Sequence, residues 1–163
     1  MISLENFLEL PTERIADLVR QKEEKVVVFP INGTRRWFMF EHGEKEYPDP
    51  ILAYMDISTT RHIELYKLFF DHGVGTLLTP VIGQEILETR DAYMEKIGQE
   101  GLSRLASHPE MLAFYNKYDV KVRFYGEYKK YLYNTTYQSL ISLFEQVEEK
   151  TKNNKSFRLF FGA

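Results

Sequence analysis

Four short apolar runs set the first constraint on this chain: Lys25–Phe29 (KVVVF), Gly75–Ile82 (GTLLTPVI), Val120–Tyr125 (VKVRFY) and Ser156–Phe161 (SFRLFF). Each has strand length, and each is separated from the next by a stretch with helical spacing of apolar residues. Strands alternating with helices predict a parallel α/β sheet flanked by helices on both faces. At 163 residues the chain has the size of one domain, read as residues 1–163.

The helical segments carry their own signals. Pro11-Thr12-Glu13 opens a helix with Ile15, Leu18 and Val19 on one face. Asp49-Pro50 places an N-cap before proline at the first helical position, and Gly73 marks the stop. Gln84–Ala106 reads as a long helix with candidate breaks at Gly98 and Gly101; His108-Pro109 opens a shorter one through Asn116, and Thr135–Lys152 forms another. The last strand runs nearly to the final residue. A parallel sheet stopping on a strand leads us to expect a further C-terminal part.

Ligands of such sheets bind beyond the carboxyl ends of the strands, and three clusters fall there: Asn32–Trp37, Thr79–Gly83 and Gly126–Lys130. In Asn32-Gly33-Thr34-Arg35-Arg36, turn amides leading into a helix form an anion-binding concavity, and arginine adds donors matched to phosphate oxygens. An Asn-Gly turn with two solvated arginines fits the same pattern. Lys129-Lys130 after Gly126 reads equally as a second ligand edge or as a basic helix start at the surface. Tyr54 and Tyr93 lie on predicted helices flanking the sheet, either as ordinary half-buried tyrosines or as phenols able to face a developing cation.

Other chemistries find little support. There is no cysteine, which excludes disulfides, thiolate catalysis and Cys-based zinc sites. His42, His62, His72 and His108 have no metal-ligand spacing, and Glu88, Asp91 and Glu95 read as a solvated helix face. No DDxxD, DxDD, G-x-S-x-G or P-loop element occurs. A net charge of −3 offers no basis for nucleic-acid binding. The longest apolar run falls short of the roughly 20 residues that span a membrane, and Met1–Glu5 lacks signal-peptide character, so a cytoplasmic protein is expected. Aromatic residues are abundant, with 12 Phe and 11 Tyr; they supply core area and can line an apolar site.

Taken in order, ENFLELP, VVVFPINGTRRWF, LFFDHGVGTLLTPVI, FYNKYDV, VRFYGEYKKYL and the closing FRLFFG resemble the cis-prenyltransferase superfamily. The likeness is greatest to its mycobacterial branch of tuberculosinyl transferases and tuberculosinol (diterpene) synthases. The resemblance implies an undecaprenyl diphosphate synthase-like fold holding a prenyl diphosphate, such as geranylgeranyl or a bicyclic diterpenyl diphosphate, over the first strand's turn. It implies diphosphate binding by Gly33, Thr34, Arg35 and Arg36. It also implies ionisation of the allylic diphosphate beside Tyr54 and Tyr93, then transfer of the prenyl group to an acceptor or water. Asn32, a catalytic candidate with Tyr54 and Tyr93, stands where the family's turn has an aspartate that handles diphosphate and Mg2+; the resemblance implies Mg2+ as a cofactor, and no metal ligand is assigned here. A homodimer or a longer homologous partner chain is implied as well. With Asn32 and the short C-terminus, a non-catalytic fragment or partner subunit is the alternative.

Overall fold

The computed structural model describes residues 2–21, 23–81 and 92–163, with the side chains of residues 92–94, 96 and 97 outside that description. A parallel sheet is built from β1 (Val26–Val28), β2 (Thr76–Pro80), β3 (Val120–Tyr125) and β4 (Phe157–Gly162), in the order β1-β2-β4-β3. Around it run α1 (Leu4–Leu8), α2 (Thr12–Arg20), α3 (Thr34–His42), α4 (Pro50–Asp71), α5 (Ala92–Ser107), α6 (Pro109–Lys117), α7 (Tyr128–Leu132) and α8 (Ser139–Lys150).

The long α4 starts where its capping residues dictate. Asp49 Oδ1 accepts from the amides of Ile51 and Leu52, both at 3.0 Å, and Pro50 occupies the first turn. It stops at Gly73, whose φ of 93° suits glycine and whose missing side chain lets Ala16 of α2 pack close. The expected helix from Thr135 begins only at Ser139. Thr135 Oγ1 donates to Leu132 O and accepts from Tyr137 N, a local bonding pattern that holds this segment as a turn. Helix α5 continues through Gly98 and Gly101 without a break. The part of the expected helix over 84–91 lies outside the described residues.

Strand register sorts the sheet into two unlike faces. Val27, Leu77, Leu159 and Val122 align in one row, and Phe161 and Phe124 in the next; these pack on α4, α6 and α8. The ring of Phe124 stacks on Phe144 of α8 at 3.8 Å, and Phe157 on Phe70 of α4 at 4.5 Å. On the opposite face the rows are Val26, Thr76, Arg158 and Lys121, then Val28, Leu78, Phe160 and Arg123. There Val26 and Val28 remain 59% and 62% exposed. Helices on both faces were expected; among the described residues they cover one, because the second face alternates charged and apolar side chains and buries only part of its area. The free edge of β3 is closed differently: Val122 N donates to Thr151 Oγ1 and Phe124 N to Glu148 Oε1 of α8.

Candidate functional site

The chain leaves β1 through Phe29-Pro30-Ile31 and turns into α3 at Gly33, which caps that helix with φ 76° and contributes no side-chain bond to its amides. The first-turn N–H groups of a helix lack intrahelical acceptors and carry partial positive charge. Here they sit at the mouth of a cavity of about 710 Å³, together with Asn32, Arg35 and Arg36. The Arg36 guanidinium folds back over the turn, 3.5 Å from where a β-carbon on Gly33 would stand. The positive φ is what favours glycine at position 33.

Behind this mouth α4 forms one wall. Tyr54, Ser58, His62 and Tyr66 recur every fourth residue and therefore share a face, a stripe of about 18 Å at 1.5 Å per residue. The Tyr54 hydroxyl lies 2.8 Å from Thr34 Oγ1, and its ring meets Phe38 edge-on at 5.5 Å. Ser58 Oγ and His62 Nε2 are shut away from solvent with no hydrogen-bond partner among the described residues. Burial holds His62 below its ordinary value of 6.5, favouring the neutral ring, and pushes the Tyr66 phenol up. The facing wall is apolar, formed by Leu102 and Leu105 of α5 and Met111 of α6, with Gly101 leaving open space. Arg104 reaches the same cavity while paired with Asp56 of α4 at 2.6 Å.

The structure therefore brings Asn32, Gly33, Thr34, Arg35, Arg36 and Tyr54 to one cavity. Tyr93 lies in the first turn of α5, its side chain outside the described residues, as are Glu88 and Asp91. Of the 79–83 cluster, Pro80 and Val81 line the cavity, while 82 and 83 lie outside the description. Trp37 turns away from the lining and meets His42 edge-on. Lys129 and Lys130 follow β3 at the far edge of the sheet, with two strands between it and β1, and pair with Glu145 and Glu127. They form a basic surface start of α7 and no part of this cavity.

The sequence reading passed over Ser58 and Arg104, and named His62 only as a histidine without metal-ligand spacing and Gly101 only as a candidate helix break. The fourfold spacing of Tyr54, Ser58, His62 and Tyr66 was the available signal for two of them. Among the described lining residues, none offers the carboxylate that a protein-held magnesium ion needs. Asn32 is neutral, no Asp or Glu is among the described lining residues, and no group of three His, Asp or Glu among the described residues could hold a metal. No described helix is long and apolar enough to cross a membrane.

No family model matches the chain. Over its full length it is 36% identical to the tuberculosinyl adenosine transferase of Mycobacterium tuberculosis (strain CDC 1551 / Oshkosh), and it spans 53% of that relative's length. The two proteins are related, and the chain corresponds to about half of the relative it matches.

Proposed function

We propose that this chain binds an allylic prenyl diphosphate and acts in transfer of its prenyl group, with the diphosphate on the turn at Gly33 and the hydrocarbon in the cavity behind. The observation that carries the reading is the cavity itself: two adjacent arginines and a helix N-terminus at its mouth, Leu102, Leu105 and Met111 inside. An anion held at one end and an apolar chain at the other match a prenyl diphosphate. The relationship to a tuberculosinyl adenosine transferase supports the same class of reaction.

In this reading the allylic C–O bond breaks heterolytically and its electron pair leaves on the diphosphate oxygen. Arg35, Arg36 and the amides of Gly33 and Thr34 stabilise that growing negative charge. The allylic cation faces the phenol ring of Tyr54. An acceptor lone pair then closes on the cationic carbon, and the acceptor's proton is lost to solvent or to a nearby base. No step is assigned to magnesium, since the described lining supplies no carboxylate for it.

The test is calorimetric titration with pyrophosphate and with geranylgeranyl diphosphate, each with and without magnesium. The prenyl form binding at least tenfold tighter, and both ligands being lost in the Arg35→Ala/Arg36→Ala double variant, is the expected result. Equal affinity for the two ligands would remove the hydrocarbon site from the proposal.

A second reading, a subunit working with a partner chain, rests on the open sheet face with its exposed Val26 and Val28. Parallel sheets are ordinarily covered on both faces. Light scattering of the purified chain decides it: self-association weakened by Val26→Lys/Val28→Lys favours a homodimer. A monodisperse monomer that turns over prenyl diphosphate alone would end this reading.

A further inference from the structure

Two buried polar atoms do not belong in a hydrocarbon tunnel. Ser58 is 8% exposed, and its Oγ lacks a partner among the described residues, as does His62 Nε2 one turn along the same face of α4. Both residues line the cavity behind the arginine cradle. An unpartnered buried hydroxyl or ring nitrogen carries a full desolvation penalty, so a cavity meant only for alkyl groups would favour alanine and phenylalanine here. Side chains four apart on a helix stand about 5–6 Å from each other. That span accommodates one donor group bonded to both, at ordinary hydrogen-bond lengths.

We propose that Ser58 and His62 form a polar subsite for a ligand O–H or N–H group, set about 9 Å along α4 from Tyr54. The claim rests on the prenyl diphosphate reading and adds to it the substrate's polarity at depth. The neutral state of His62, favoured by burial, leaves a ring nitrogen able to accept. Two sources can present such a group: an isoprenoid chain oxygenated part-way along, or an acceptor alcohol or amine lying beside a plain hydrocarbon chain. Either group would donate to the His62 ring nitrogen, and a ligand hydroxyl would in turn accept from the Ser58 hydroxyl.

Three titrations separate these possibilities. Geranyl diphosphate against pyrophosphate tests the parent reading: a prenyl preference must appear whether or not the polar subsite exists. ω-Hydroxygeranyl diphosphate against geranyl diphosphate tests an oxygenated chain. Adenosine titrated into protein saturated with geranylgeranyl diphosphate tests an acceptor. We expect one of the last two arms to show about tenfold tighter binding than its control, lost in both Ser58→Ala and His62→Phe and partly restored in His62→Gln. Ser58→Ala is small enough to keep the fold and decides the matter if His62→Phe does not. The hydroxylated chain binding no better than geranyl diphosphate, together with no adenosine binding, would overturn the subsite even where the prenyl preference stands. A gain that survives Ser58→Ala and His62→Gln unchanged would also overturn it.

Discussion

Thr34 Oγ1 and the Tyr54 hydroxyl lie 2.8 Å apart, joining the first residue of α3 to the polar stripe of α4. This bond holds the helix whose N-terminus forms the proposed anion cradle against the wall of the cavity behind it. Tyr54→Phe keeps the edge-on contact with Phe38 and removes only the hydroxyl. We expect a stability loss of about 1 kcal/mol for the bond and a threefold to tenfold weaker affinity for prenyl diphosphate. Thr34→Val should match it, and the Tyr54→Phe/Thr34→Val double variant should cost little more than either alone. Fully additive losses in thermal melts and titrations would show that the two groups act separately.

Asn32 lies exposed at the cavity mouth beside Arg35 and Arg36, with no described carboxylate in the lining. Pyrophosphate affinity should therefore change less than about threefold when magnesium is added, since the arginines and helix amides meet the charge directly. Asn32→Asp should weaken binding in the absence of metal through like-charge repulsion, and magnesium should restore it. Titrations with and without EDTA read this out. A strong magnesium requirement in the unaltered protein would mean that a carboxylate outside the described lining completes the site.

The strands were legible because β-branched and aromatic runs stand between capped helices, and Val120–Tyr125 was read to the residue. The gathering of Asn32, Gly33, Thr34, Arg35 and Arg36 at one cavity was legible for the same reason, since an Asn-Gly turn after a strand marks a carboxyl end. The open sheet face was misjudged, although VKVRFY already alternated: Lys121 and Arg123 fall between Val120, Val122 and Phe124, a period of two that marks a half-buried strand. Strand order could not be read locally, because it is set by which helix faces bury together. Ser58 escaped notice, and His62 was weighed only as a metal ligand, because a missing hydrogen-bond partner is a tertiary property that residue type does not disclose.

Gly101 lies inside α5, lines the cavity, and a β-carbon there would meet nothing within 4 Å among the described residues. Gly101→Ala should raise stability by about 1 kcal/mol from helix propensity alone and leave pyrophosphate affinity in place. Gly101→Leu projects into the cavity and should weaken geranylgeranyl diphosphate at least tenfold relative to pyrophosphate. If the leucine variant still prefers the prenyl ligand as strongly as the parent, the hydrocarbon does not pass beside α5.

His62 gives the fold a pH dependence whose direction follows from its burial. Desolvation lowers its proton affinity in the folded state below the ordinary value of 6.5, so the unfolded chain takes up the proton first as pH falls. Stability contributed by the neutral ring is thus fully present above about pH 6.5 and declines below it. The slope approaches about 1.4 kcal/mol per pH unit for one proton, until the folded state itself protonates. Arg35, Arg36 and Arg104 line the same cavity, Arg104 in a pair with Asp56, and burial is the cause of the shift. His62→Gln removes the titration, so its melting temperature should fall less than the parent's between pH 7 and pH 5. A saturating ligand that donates to the ring nitrogen should hold the neutral form and carry the parent's decline to still lower pH. Parallel melting curves for parent and His62→Gln would place the ring in contact with water and remove it from the buried wall.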